Sequence, residues 1–306
     1  MRAVVCTRYG PPEVLKLQEI ATPVPRKNEV RIRILATSVT SSDCYIRGLR
    51  LSPAYRILAR LALGWNAPRR RVLGMVLSGE VDSVGAEVGT FEPGDRVFGF
   101  NRHRFGTYAQ YACWPEDGLL VPQPANLTYE ESASIPYGGL LALHFLRKAG
   151  VRAGQNVLVF GASGAVGTSA LQLARHFGAE VTGVCSTANV ELVASLGATR
   201  VVDYTVEDFV DTEERYDLVF DAVGKNKSAS ALRRCQQVLS SGGACISVDD
   251  GRPKLRREDL MLLGELATKG EIRPVIDRTY ALDDIVAAHR YVDGGHKPGN
   301  VIITVM

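Results

Sequence analysis

A chain of 306 residues, 46% hydrophobic and 23% charged, has the length of two domains at about 150 residues each and the composition of a core-forming protein, which excludes a disordered or fibrous one. Its 36 basic and 33 acidic side chains leave a net charge of only +3, so nucleic acid is not expected as a partner. The six cysteines, Cys6, Cys44, Cys113, Cys185, Cys235 and Cys245, include no CxxC pair, a pattern of reduced thiols in a cytoplasmic chain rather than of a disulfide framework or zinc knuckle.

Met1 and Arg2 lead straight into a strand-like stretch over 3–7, without the apolar region of a secretory signal. Strands are predicted over 14–19, 30–36, 77–84, 96–98 and 108–113, punctuated by Gly10-Pro11-Pro12, Pro93-Gly94 and Gly106. This is a β-rich module. A helix is predicted over 129–149, with Thr128 as its cap and Glu130 and Glu131 facing its positive end. Apolar runs at 157–160, 181–185, 200–203, 218–221 and 244–248 then alternate with helices, the signature of a doubly wound parallel sheet. The clearest of those helices covers 165–176, where Val166, Ala170, Leu173, Ala174 and Phe177 recur at helical spacing. A coda of strand 275–280, helix 283–292 and strand 301–305 ends the chain. The 22 residues 153–174 carry no charge, but Gln155, Asn156, Ser163, Thr168 and Gln172 interrupt them, so no transmembrane segment is expected.

The apolar run 157–160 enters Gly161-Ala162-Ser163-Gly164-Ala165-Val166-Gly167, and a helix follows. Strand, glycine turn and helix in that order form a dinucleotide-binding site. Gly161 permits the turn, Gly164 lets backbone approach a pyrophosphate, Gly167 brings helix close to strand, and the helix N-terminus offers free N–H groups to the anion. About 20 residues further on, an acid would grip the adenosine ribose and select NAD. Here Ser186, Thr187 and Asn189 stand instead, hydroxyls and an amide able to donate to a 2′-phosphate, so NADPH is expected over NADH.

These residues, together with Tyr9-Gly10-Pro11-Pro12-Glu13-Val14-Leu15, Pro93-Gly94-Asp95-Arg96-Val97, Leu196-Gly197-Ala198, Asp203-Tyr204, Asp221-Ala222-Val223-Gly224 and Gly299-Asn300-Val301-Ile302, resemble the medium-chain dehydrogenases/reductases, and within them the zinc-independent quinone oxidoreductases. The resemblance implies a GroES-like catalytic domain over 1–122, completed by 270–306, around a Rossmann domain over 123–269, with substrate and nicotinamide in the cleft between them. It also implies cofactor contacts at Tyr204, Val223 and Asn300.

Zinc-dependent relatives carry a ligand Cys three residues before an Asp, and a Gly-His-Glu motif. The matching stretches here read Thr40-Ser41-Ser42-Asp43 and Gly74-Met75-Val76, which are poor ligands, so no zinc is expected. Without a Lewis acid, hydroxyls would steady the substrate oxygen. Thr40 lies where quinone oxidoreductases often have Asn, and Tyr45 matches a tyrosine of that branch. Both are candidate catalytic residues, Tyr45 having a wall-packing role as its alternative. Leu141 stands where the family usually has Thr. Cys44 lacks a basic partner nearby in sequence, and His144 and His289 read as surface or core residues.

Between Cys44 and Gly79 there is no acid, while Arg47, Arg50, Arg56, Arg60, Arg69, Arg70 and Arg71 flank Ile57, Leu58, Leu61 and Leu63. The segment reads as a cleft lid with a solvated basic rim, or else as a membrane or RNA contact. The expected function is NADPH-dependent, zinc-independent hydride transfer to a small-molecule quinone or α,β-unsaturated carbonyl. Alternatives are an alcohol/carbonyl dehydrogenase and a nucleotide-binding regulatory protein without turnover. Only nine residues, 249–257, separate the last parallel strand from the next helix, too few for a sixth strand. Its edge is then open, covered by the helix over 258–269 or paired with a partner, and a monomer or an atypical homodimer is expected.

Overall fold

The computed structural model describes every residue except 50–52, 103 and 211–212, and gives the backbone alone at 53–55, 226–227 and 230–231. The elements are β1 (Arg2–Cys6), β2 (Leu15–Glu19), β3 (Glu29–Val39), α1 (Ser41–Gly48), α2 (Pro53–Leu63), β4 (Val76–Val84), β5 (Arg96–Phe100), β6 (Tyr111–Pro115), β7 (Leu120–Pro122) and α3 (Tyr129–Ala149). They continue as β8 (Asn156–Phe160), α4 (Ala165–His176), β9 (Glu180–Cys185), α5 (Val190–Ser195), β10 (Arg200–Asp203), β11 (Tyr216–Asp221), α6 (Lys225–Arg234) and β12 (Leu239–Ser247). Last come α7 (Arg257–Thr268), β13 (Ile276–Ala281), α8 (Ile285–Gly294) and β14 (Asn300–Thr304). The chain divides into two compact units, Met1–Pro136 with Ile276–Met306, and Tyr137–Val275. That division falls inside α3, after Pro136, and the first turns of α3 are tied to strands of the first unit. Tyr129 donates its hydroxyl to Glu80 at 2.5 Å and lies under Arg96.

The first unit is GroES-like: a seven-stranded sheet in the order β13-β14-β3-β4-β5-β7, with β6 also on β3, beside the hairpin of β1 and β2. Its strands β5 and β14 are buried along nearly their whole length, while β6 alternates as a strand with one covered face does. In β6 Ala112 and Trp114 are buried between half-buried neighbours. Ile32, Ile34, Trp114, Tyr108 and Ile303 form the core. Tyr108 precedes β6, where a strand over 108–113 was predicted; it is buried inside the core and Ala109 bridges to Ala3.

The second unit is a Rossmann sheet of parallel strands in the order β10-β9-β8-β11-β12. Val157, Leu158 and Val159 of β8 are fully buried, as a central strand covered on both faces requires. The helix α3 begins on a capping box: Glu131 N–H donates to Thr128 Oγ1 (3.1 Å) and Thr128 N–H to Glu131 Oε2 (2.8 Å). Among the described residues the sheet stops at five strands, and the short connection 248–256 leads into α7. That helix packs on α3, through an Arg147–Asp259 ion pair and the Leu263 side chain over Gly139. Ser241, Gly242 and Ala244 of β12 stay exposed.

Candidate functional site

In the second unit the sequence-predicted cofactor residues gather at the carboxyl end of the parallel sheet. Here β8 lies between β9 and β11, the switch point at which doubly wound sheets bind ligands. Gly161 has φ +78, and a Cβ there would meet Val223 Cγ2 at 2.4 Å; a Cβ on Gly167 would sit 2.1 Å from the Gly161 carbonyl oxygen. Both positions therefore demand glycine. Gly164 differs. Its φ is −76, it is the N-cap of α4 with no side-chain capping bond and no acid in the first turn, and a Cβ on it would meet only the Gly161 oxygen at 3.6 Å. The first intrahelical bond is Thr168 N–H to Gly164 O, 2.8 Å. The N–H groups of Ala165, Val166 and Gly167 thus precede the helical ladder. The turn is anchored from behind: Gly161 and Ala162 N–H both donate to Val184 O, Ser163 follows, and Ala162 is fully buried.

Ser186, Thr187 and Asn189 follow β9. Asn189 Nδ2 donates to Ser186 Oγ at 3.1 Å, and Thr187 Oγ1 lies 2.7 Å from Thr205 Oγ1. One residue missed by sequence reasoning is Asp203. No acid lies at the carboxyl end of β9, but β10 is in register with it and sets Asp203 beside Cys185. Hydrogen bonds from Thr187, and then from Thr205, hold its carboxyl below the usual carboxylate range. The signal was the Asp203-Tyr204 pair itself. Tyr204, whose N–H donates to Cys185 O at 3.0 Å, exposes its ring. Val223 is also exposed, on a turn that buried Asp221 holds by accepting from Val223 N–H, Gly224 N–H, Ser228 and Ser247. Leu141 is half-buried on α3.

In the first unit, Val301 pairs with Val39, so Asn300 and Thr40 end their strands side by side, both buried. Thr40 is the N-cap of α1. Its hydroxyl donates to Asp43 Oδ2 (2.6 Å) and accepts from Asp43 N–H (3.2 Å), while Thr40 N–H donates to the same carboxylate (2.9 Å). Its one hydroxyl proton is therefore committed to Asp43. Burial pushes the Asp43 carboxyl up to about 6. Tyr45, one turn on, is 39% exposed.

Arg47, read from sequence as part of a solvated rim, is instead fully buried. It donates to Asp293 (2.5 Å), to His289 Nδ1 (2.8 Å) and to Gly10 O (3.2 Å). Since Nδ1 accepts from Arg47, the imidazole proton sits on Nε2; burial, and then Arg47, push its pKa down to about 3. Cys44 Sγ lies 3.4 Å from the same Nδ1, but burial raises its thiol far above the ordinary range. This neutral cluster is structural, and His289 is a core residue. Arg50 lies outside the described residues. Met75 and Val76, where zinc relatives hold ligands, are buried, and among the described residues no three His, Cys, Asp or Glu side chains converge as a metal site.

Comparison with known proteins decides the family. Residues 26–125 match the alcohol dehydrogenase GroES-like domain, and residues 165–286 match the domain described as zinc-binding dehydrogenase. The chain is 32% identical to the 2-methylene-furan-3-one reductase of Solanum lycopersicum, over 99% of this chain and 79% of that protein. The chain belongs to the medium-chain dehydrogenase/reductase superfamily. It is quinone oxidoreductase-like within that superfamily: a quinone oxidoreductase of Mus musculus is 30% identical over 99% of this chain and 97% of its own. The structure of the Coxiella burnetii quinone oxidoreductase superposes with a TM-score of 0.87 at 29% identity, covering 100% and 99% of the two chains. The protein is accordingly an oxidoreductase of this superfamily, and among the described residues no helix is long and apolar enough to cross a membrane.

Proposed function

We propose that the protein reduces a quinone or an α,β-unsaturated carbonyl with NADPH and without zinc. The observation that carries this reading is the uncapped N-terminus of α4, where Gly164 supplies no capping side chain and three backbone N–H groups precede the first helical hydrogen bond. An anion of pyrophosphate type fits them, and Gly161 to Gly167 would hold it. Ser186 and Asn189 supply donors for a 2′-phosphate at the end of β9, where an acid would repel it; Asp203 turns its charge to Thr187 and Thr205. Tyr204 offers a flat exposed face and Val223 an apolar one to the bases, and Asn300 an amide. When bound, the nicotinamide supplies the hydride.

Tyr45 would donate a hydrogen bond from its hydroxyl to the substrate oxygen, where negative charge develops as a carbon accepts the hydride, and water would supply the proton that completes the reduced product. Thr40 supports this indirectly, by fixing the helix that carries Tyr45. The activities of the relatives, on a furanone bearing a methylene group and on quinones, favour these acceptors. Thr40, Met75 and Val76 in place of ligands favour a metal-free reaction.

The test is a screen of NADPH oxidation against quinones, enals, enones and simple aldehydes, with and without chelator. Turnover of quinones or enones that survives the chelator is expected. Turnover of aldehydes alone would move the assignment to alcohol/carbonyl interconversion, and NADPH binding without oxidation in any well would leave a regulatory nucleotide-binding protein.

A further inference from the structure

Helix α2 is turned the wrong way round for a soluble surface. Ile57, Leu58, Ala62 and Leu61 are exposed, as is Trp65 just past its end, whereas Ala59, Arg60 and Leu63 are half-buried. At 100° per residue, positions 57, 58, 61 and 62 fall within one arc of about 140°, and exposed Trp65 follows just past the helix end. The exposed face is thus a continuous apolar stripe, with Ile57, Leu58, Leu61 and Trp65 each more than half exposed. Isolated exposed apolar residues need no explanation, but a contiguous stripe rimmed by charge marks an interaction surface.

The rim is of one sign. Arg56, Arg69, Arg70 and Arg71 are exposed, Arg60 reaches over the Trp65 ring, and the sequence from Cys44 to Gly79 contains no acid. Arg69 donates to the Leu61 carbonyl and Arg70 to the Arg104 carbonyl; among the described residues neither meets a carboxylate. The segment after α2 is fixed to the body by Tyr9, whose hydroxyl donates to Gly64 O and whose N–H donates to Asn66 O. The stripe is therefore presented by an anchored segment.

We propose that this face docks the protein on the surface of an anionic lipid bilayer, with Ile57, Leu58, Leu61 and Trp65 in the headgroup–acyl boundary and the arginines on lipid phosphates. An apolar face with a basic border and a tryptophan is the composition of an interfacial helix, and anionic lipid attracts each arginine near it. A second copy of the chain fits less well, since a twofold contact would bring the same arginines face to face. RNA fits less well too, because three aliphatic side chains and one indole make a poor stacking platform. The proposal stands independently of the redox reading.

The full chain is sedimented with vesicles of phosphatidylcholine alone and with vesicles containing phosphatidylglycerol. Binding at least tenfold stronger to the anionic vesicles is expected, weakened by high salt. The variants Leu58→Asp/Leu61→Asp and Arg69→Gln/Arg70→Gln/Arg71→Gln should each lose at least tenfold of that binding, with the circular dichroism of the native protein retained. Trp65 gives a readout that needs no variant. The chain has two tryptophans and Trp114 is fully buried, so brominated lipid should quench the Trp65 emission. Equal or absent binding to the two vesicle types, absence of quenching, or a Leu61-dependent dimer in sedimentation velocity would overturn the proposal.

Discussion

Two helices in this molecule start the same way and end up with opposite properties. Both α1 and α4 follow directly on a strand that is central in its sheet, and both must dispose of the N–H groups that an α-helix leaves unpaired at its first turn. At α1 the chain closes that end with its own side chains: Thr40 and Asp43 bond each other's backbone N–H. At α4 the cap position is Gly164, and no side chain answers. Evolution of a helix end toward stability calls for Ser, Thr, Asp or Asn at that position; a glycine there leaves the positive end for an anion. The comparison separates a helix end closed by the fold's own side chains from one that the proposed function assigns to a ligand.

The largest effect is expected from filling the open end's tightest point. Gly167→Ala places a Cβ 2.1 Å from the Gly161 oxygen and 2.8 Å from Ala162 Cα, both backbone atoms that cannot swing away. Urea unfolding should show a loss of about 3 kcal/mol, the upper range for overpacking, together with weakened cofactor binding.

The closed end should instead respond to pH. Burial raises the Asp43 carboxyl from 3.8 to about 6, so the folded protein holds that proton more tightly than the unfolded chain does. The resulting stability is present in full below about 4, falls as the pH rises toward about 6, and is absent above it. On the order of 3 kcal/mol is at stake. Thermal melts of wild type and Asp43→Asn from pH 4 to 8 check it: the stability of wild type relative to the variant should decline through that window.

Tyr45 lies on the closed helix and is partly exposed, and the proposed function gives its hydroxyl to the substrate oxygen. Tyr45→Phe should lower kcat by about tenfold to a hundredfold, about 1.4 to 2.8 kcal/mol, with cofactor affinity unchanged. Thr40→Val removes both hydrogen bonds of the hydroxyl to Asp43 and should cost at least about 1 kcal/mol in a denaturant titration, again without changing cofactor affinity. If it weakened the cofactor instead, the closed end would not be purely structural.

Much of this was legible in the amino acids. The bounds of α3 and α4 could be read because each carries a local signal, a Thr128–Glu131 capping box in one and a glycine turn with helical periodicity in the other. The central parallel strands were legible as uninterrupted apolar runs such as Val157-Leu158-Val159. What was not legible depended on distance or on a competing reading. Thr40-Ser41-Ser42-Asp43 has the spacing of a helix cap, but its position in the family directs attention to lost zinc ligands, so α1 was passed over. Arg47 reads as one more surface arginine because Asp293 and His289, which bury it, are more than 240 residues away. Asp203 escaped because the search for an acid follows β9, while the neighbouring strand supplies one through its register.

The claim that α4 keeps its N-terminus open for a dinucleotide is tested most directly by fluorescence titration of NADPH into the wild-type protein and Gly164→Asp. The space around Gly164 accepts a side chain, so aspartate would cap the helix and place a negative charge where the proposed function puts the pyrophosphate. The account predicts saturable binding to the wild type, at least tenfold weaker binding to the variant, and a melting temperature of the variant no lower than that of the wild type. Equal affinity of the two proteins for NADPH, with the variant folded, would contradict it.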